Sequence, residues 1–227
     1  MSDDSIAIVG GTGDLGYGLA LRWAKAGRDV YIGSRVAARA EEAAEKVRER
    51  VGKHARVMGL ANEEAIQRAG IVVIAVPFSA QVSTITSIKE KLQIGQTVVD
   101  CTVPLEAAVG GAATRTLNLW AGSAAEQAAR YLPPTVHTVA AFQNVPAPTL
   151  QELDHDVDCD VFVCSDNAEA RARLKPWIEA ISNCRYIDGG KLENARVVEA
   201  LTAFLIGINR RYKTHSGIRV TGIAAGK

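Results

Sequence analysis

The sequence carries almost no surplus charge: 26 Lys and Arg stand against 25 Asp and Glu, a formal net charge of +1. That removes the electrostatic case for a nucleic acid or an anionic membrane as partner, since either needs a concentrated basic surface. Long hydrophobic runs are missing too. The longest clearly apolar stretch, residues 71–76, falls far short of the roughly 20 residues that cross a bilayer. The opening Met1-Ser-Asp-Asp-Ser5 is polar and acidic, unlike a secretory leader. Cysteine is scarce. Cys101, Cys159, Cys164 and Cys184 form no CxxC pair, which fits reduced thiols in a cytoplasmic protein. His54, His137, His155 and His215 show no HxH or HExxH spacing, so no metal site is expected. A length of 227 residues allows one large domain, or one and a half, with ample core.

What the chain does have is a glycine turn close to its start. Residues 6–9 are an apolar run, followed by Gly11-x-Gly13-x-x-Gly16 and then a helical pattern from Asp14. Strand, glycine turn and helix in that order are what a dinucleotide pyrophosphate needs. Gly11 permits the tight turn, Gly13 lets the backbone approach the phosphates, and Gly16 lets the helix pack close to the strand. The helix N-terminus then offers N–H groups and a partial positive charge. The alternative is a glycine-rich turn in some other α/β protein.

The end of the second strand, residues 29–33, selects the cofactor. Proteins that bind NAD usually place Asp or Glu there for the ribose 2′-hydroxyl. Here the chain reads Gly33-Ser34-Arg35, with Arg39 one helical turn on. A carboxylate would repel a 2′-phosphate, whereas a hydroxyl and two guanidinium groups attract it. The pattern therefore predicts NADP, against the plainer possibility of a solvated helix start.

Periodicity predicts helices over 14–26 and 37–51, the latter with an exposed Glu42–Lys46 pair. It continues with a short strand at 56–59 and a helix at 63–69. Residues 71–76, bounded by Gly70 and Pro77, read as a central parallel strand buried on both faces. Pro77 and Phe78 follow, where open α/β sheets bind ligands. A helix over 83–92 and a strand over 96–100 come next, then an irregular, Gly-, Ala- and Thr-rich stretch at 103–121. Ser123 and Glu126 form a capping-box pattern at the head of a helix over 123–131. A strand over 135–142 and a linker over 144–148 complete the first part. The remainder predicts a strand at 160–165, a helix over 168–181, a strand at 185–187 and a long helix from 192 to 212. That last helix is apolar on nearly all sides, so burial between domains or against a second subunit is expected. The fold class is α/β: a Rossmann-type doubly wound parallel sheet with a smaller C-terminal α/β unit that ends in a long helix. The expected division is 1–145 for the nucleotide and 146–227 for the smaller unit.

Several stretches together resemble the coenzyme F420-dependent NADP oxidoreductases. They are Gly10-Gly-Thr-Gly-Asp-Leu-Gly16, Gly33-Ser-Arg35, Ala75-Val-Pro77, Gly122-Ser-Ala-Ala-Glu126, His137-Thr138, Leu192-Glu-Asn-Ala-Arg-Val-Val-Glu199, and the tail Asn209-Arg-Arg-Tyr-Lys213 with Gly217-Ile-Arg219. The resemblance spans essentially the whole chain. It implies that NADP lies over Thr12, Gly13, Asp14 and Leu15, with its 2′-phosphate at Ser34, Arg35 and Arg39. It also implies that Val76, Pro77, Phe78, Val103 and Ala141 line the nicotinamide side. The deazaflavin is expected between the two units, around His137, Thr138, Val139 and onward to Asn144, together with the last helix. Phe78 stands where relatives often carry Trp, and Asp14 where some carry an amide.

The implied reaction is reversible hydride transfer between nicotinamide C4 and deazaflavin C5. Both partners bring their own chemistry, so no protein nucleophile, metal or acid–base pair is required and no catalytic residue is named. The protein's work is to stack two rings, exclude water and orient them. Backbone N–H groups near 139–142 are expected to stabilise charge at the reduced ring's carbonyl edge, and His137 is expected to be structural. The competing readings are an NADPH-dependent reductase of a small imine, carbonyl or ferric species, and a non-catalytic NADPH sensor. A homodimer is expected from the apolar last helix.

Overall fold

The structure is a computed structural model that describes residues 5–223. Its strands are β1 (Ser5–Val9), β2 (Asp29–Ser34), β3 (Val57–Ala61), β4 (Ile71–Ile74), β5 (Thr97–Asp100), β6 (His137–Ala140), β7 (Cys159–Cys164) and β8 (Cys184–Gly190). They form one sheet in the order β3-β2-β1-β4-β5-β6-β7-β8. The first six run parallel, and every residue of β1, β4 and β5 is buried. Such strands need helices on both faces. α1 (Asp14–Lys25), α2 (Ala37–Val51), α3 (Asn62–Gln67), α4 (Gln81–Ile88) and α5 (Ala124–Tyr131) supply them as crossovers. The chain changes its direction of winding between β1 and β4, which is where a doubly wound sheet opens a crevice. No helix among the described residues is long and apolar enough to cross a membrane.

Local chemistry explains most boundaries. α1 stops at Gly27, which takes a left-handed φ of +73°. α2 occupies the predicted residues and buries Ala40, Ala44 and Val47. Its Glu42–Lys46 pair closes at 2.8 Å in solvent, where such pairs add little. Ser123 Oγ accepts the Glu126 N–H at 3.0 Å, but the Glu126 carboxylate turns to Arg196, at 2.7 and 2.8 Å. The capping pattern thus also ties α5 to the C-terminal helix. β3 runs on to Ala61, and a Cβ at Gly59 would lie 2.2 Å from the backbone of Ala40 and Glu41. α2 therefore rests directly on this strand.

The second part departs further from expectation. The predicted linker at 144–148 turns into α6 (Ala147–Gln151). The helix predicted over 168–181 is two short ones, α7 (Ala168–Arg173) and α8 (Lys175–Ile178), because Pro176 has no N–H to continue the ladder. β8 is longer than expected and crosses a bulge opposite Cys164. β7 joins the rest of the sheet through one antiparallel pair, Ala140 with Cys164. The closing helix α9 (Ala195–Tyr212) buries Ala195, Val198, Glu199, Ala203 and Leu205. Within the single chain its other side is open: Val197, Phe204 and Tyr212 are 67%, 64% and 76% exposed.

Side chains reinforce the seam between the parts. Trp23 of α1 meets Phe142 and Trp177 edge-on at 5.8 and 5.6 Å, and its Nε1–H donates to Trp177 O at 2.8 Å. Buried Arg22 donates to the carbonyls of Thr149, Leu150 and Glu152 at 2.7–2.8 Å, closing the carboxyl end of α6. Phe142 itself holds a left-handed φ of +72°, rare for a bulky residue. Its ring, 1% exposed, is gripped by this packing.

Candidate dinucleotide site

The glycine turn is shaped by backbone contact. A Cβ on Gly10 would lie 2.7 Å from Ala75 O, and one on Gly16 would lie 2.8 Å from Gly10 O and Gly11 Cα. Gly11 is equally confined, 2.9 Å from Ile8 O. Gly13 is different. It is exposed, and the nearest atom to its missing Cβ is Gly10 O at 3.4 Å, ordinary contact. Packing within the protein does not demand glycine there, and the open side of the turn leaves its backbone accessible to a ligand. α1 starts at this point with no side chain capping its N-terminus, leaving the helix end to an anion.

Beside the turn lies a cavity of about 600 Å³. Gly10, Thr12 and Gly13 form one wall, Ser34, Arg35 and Arg39 a second, and Val76, Pro77 and the Ser83–Thr84 face of α4 a third. Arg35 and Arg39 are exposed, and neither enters an ion pair among the described residues. Asn62, which the sequence patterns did not single out, forms part of the lining. A hollow of similar volume at the far end of α1 is walled by Arg22, Lys25, Asp154 and His155. It is remote from the glycine turn.

The remaining residues expected at the site divide into two groups. Gly11 and Gly16 are buried beneath the turn and Leu15 packs into the core, while Asp14 is exposed in the first turn of α1, its carbonyl accepting from Gln151 Nε2 at 3.0 Å. Phe78 opens a short 3-10 turn next to the cavity, half-buried but outside its lining. Val103 and Ala141 follow β5 and β6 at the same, carboxyl, end of the sheet; Ala141 is fully buried. His137 and Thr138 are not brought there. Parallel register sets His137 beside Thr97, and Thr97 beside Ile71, at the amino ends of the strands. His137 lies three residues, about 10 Å, and Thr138 two residues, about 7 Å, short of Ala140 at the carboxyl end. Val139 is wholly inside the core. The expectation of available N–H groups along 139–142 also needs correction at Ala141, whose N–H is spent on Asp100 O at 3.3 Å.

The sequence patterns missed a buried polar network behind these strand ends. Gln81 Nε2 donates to Asp100 at 3.1 Å and to Thr102 Oγ1 at 2.7 Å, and Gln127 Nε2 donates to Gln81 Oε1 at 2.9 Å. Burial pushes the Asp100 carboxyl up to about 7, against the opposing pull of Gln81 and Thr102. Glu199 of α9 accepts the N–H groups of Ala124 and Ala125 at 2.8 and 3.0 Å, and burial raises it to about 8. Gln143 Nε2 donates to Asp100 O at 2.9 Å, while Thr202 Oγ1 donates to Gln143 O at 2.8 Å. The segment after β6 is thus held from both sides. Polar residues at the end of a strand, Asp100 and Thr102, were the only signal for this network in the sequence.

The fold and this cavity define a dinucleotide-binding protein of the Rossmann class. Residues 5–104 match the family model described as NADP oxidoreductase, coenzyme F420-dependent. Over 221 residues the chain is 44% identical to the F420-dependent NADP reductase of Methanothermobacter thermautotrophicus, covering 96% of this chain and 95% of that one. Over 222 residues it is 43% identical to the reductase of the same name from Methanocaldococcus jannaschii, covering 96% and 98%. A crystal structure of a protein from Arthrobacter sp. FB24, assigned as an F420-dependent NADP reductase, superposes with a TM-score of 0.79 at 25% identity, over 95% of this chain and 98% of that one. The chain belongs to the F420-dependent NADP oxidoreductase family.

Proposed function

We propose that this protein transfers hydride reversibly between NADP(H) and coenzyme F420. The observation that carries the dinucleotide half is Gly13, exposed beside an uncapped helix end and glycine for no reason internal to the fold, and the exposed Arg35 and Arg39 on the cavity wall select NADP. Near-complete coverage of relatives bearing that activity in their names supports the F420 half. Thr12 to Leu15 and the α1 N-terminus hold the pyrophosphate, and Ser34, Arg35 and Arg39 hold the 2′-phosphate. Val76, Pro77 and Phe78 fix the nicotinamide from the carboxyl end of β4, with Val103 after β5 and the buried Ala141 after β6 backing that side. Nicotinamide C4 and deazaflavin C5 supply the hydride chemistry. The chain supplies position and dryness, and the buried segment 141–145 makes that position rigid. Residues 1–145 act as the nucleotide-binding domain, and residues 146–227 complete the F420 side.

The exposed apolar stripe of α9, Val197, Phe204 and Tyr212, supports a homodimer. A mass that stays near 24.1 kDa across a micromolar concentration series in light scattering would rule that out. Four buried free thiols among the described residues suit a reducing, cytoplasmic compartment.

The reaction is tested with NADPH deuterated at nicotinamide C4. Label is expected at deazaflavin C5 with none lost to water. Solvent hydrogen at C5, or no change in F420 absorbance while a small imine or ferric complex is reduced, rejects the proposal in favour of another reductase. Arg35→Ala is expected to cost about 1.5–3 kcal/mol of NADP binding, roughly ten- to a hundredfold, and to leave NAD binding almost unchanged; equal losses would remove the 2′-phosphate role. Ala141→Leu is expected to slow turnover more than His137→Gln, since on the order of 1 Å of ring displacement costs about a hundredfold.

A further inference from the structure

We infer that Asn62 reads the adenine base: its side-chain amide pairs with the 6-amino edge of the adenine ring. This rests on the cavity being the NADP site. Asn62 is the first residue of α3 and only 8% exposed, and its Oδ1 is shielded with no hydrogen-bond partner. A buried acceptor left unpaired costs free energy, so such a group calls for a donor from outside the chain. The usual duty of an Asn near a helix start is capping. α3 has no side-chain cap, so Asn62 is not held by that role.

The surroundings favour a ligand. Asn62 follows Ala61, which stands opposite Ser34 in the parallel register, so the amide lies one residue beyond the sheet edge and beside the proposed 2′-phosphate site. Gly33 makes room for it, because a Cβ there would come within 2.9 Å of Asn62 Oδ1. The glycine that replaces the usual strand-end acid region thus also shapes the place of this amide. Across the cavity, the hydroxyls of Ser83 and Ser87 donate to the carbonyls of Ala80 and Thr84 on their own segment. The glycine turn accounts for the pyrophosphate, and Ser34, Arg35 and Arg39 account for the 2′-phosphate. The ribose ring and the base are the parts of the adenosine still without a partner, and of these only the base offers a flat edge with a donor beside an acceptor. Adenine presents an N–H donor next to a ring-nitrogen acceptor, and a carboxamide matches that pair edge to edge.

The test uses calorimetric titration of the whole protein with adenosine 2′,5′-bisphosphate and with its hypoxanthine counterpart. The second ligand keeps both phosphates and replaces the 6-amino group with a carbonyl. Wild type is expected to bind the adenine ligand about tenfold more tightly, the order of one good hydrogen bond. Asn62→Leu, close in volume, is expected to lose about tenfold on the adenine ligand and to bring the two within about twofold. Wild type that binds both ligands equally overturns the inference without any variant being needed. Equal weakening of both by Asn62→Leu also overturns it, by assigning Asn62 to the ribose or a phosphate. If that happens while wild type still binds NADPH and reduces F420, the proposed function stands and only the adenine role falls. Failure of wild type to bind NADPH removes both.

Discussion

The two ends of the sheet are built by different means. From β3 to β6 the strands are parallel and the contacts are backbone on backbone: Gly59 under α2, Gly10 against Ala75, Gly16 against Gly10. From β6 onward the ladder is almost interrupted, and side chains take over. Arg22 closes α6, Glu199 accepts two N–H groups at the head of α5, and Asn144 Nδ2 donates to Asp160 O at 2.8 Å. Asp160 is itself fully buried and gripped by Arg185 and Arg219 at 2.7–2.9 Å, which ties the C-terminal tail to β7. The first end obtains its precision from the absence of side chains, the second from long ones. A site that must hold phosphates needs close backbone, whereas an attached unit needs reach.

The largest effect should come from spoiling the backbone-built end. Gly59→Ala drives a methyl into α2 and is expected to cost about 3 kcal/mol, the upper part of the usual overpacking range, seen as a lower midpoint in urea unfolding. A shift of a few tenths would mean that α2 is free to move aside. At the side-chain-built end, Glu199→Ala leaves two N–H groups without their acceptor and is expected to cost about 1.5 kcal/mol in the same assay. An unchanged midpoint would show that water replaces the carboxylate freely. The smallest effect concerns pH. Native Asp100 keeps its proton to about 7, while an unfolded Asp loses it near 4. The native state therefore binds more protons across that window, and this group's stabilisation is lost as pH rises from about 4 through about 7. Glu199 extends the same trend to about 8. Asp100→Asn is expected to flatten the pH 4–7 part of a stability profile, and an identical slope would show that Asp100 is ionised when folded.

The same contrast explains what could be read in advance. β1, the glycine turn, α1 and α2 follow from local patterns, and the Ser34–Arg35–Arg39 group faces the cavity beside them. These features depend on neighbours in sequence. His137 and Thr138 went astray because strand direction, set by pairing with β5, decides which end of β6 faces the ligand. Asn62 gave no signal, since its meaning lies in an unpaired oxygen across from Gly33. The break between α7 and α8 was legible in Pro176, but the periodicity on either side of it hid the stop. The Asp100–Gln81–Gln127 network joins positions up to 46 residues apart, beyond the range of any local pattern.

The single Ala140–Cys164 pair between β6 and β7 also has a consequence in time. Amide protection follows the free energy of the opening that exposes each group, and openings occur in cooperative blocks. The ladder offers one link here against four between β5 and β6, so β7 and β8 are expected to exchange their amides through a cheaper opening than β1 and β4. The side-chain bonds across the seam then govern how often the outer block parts from the inner one.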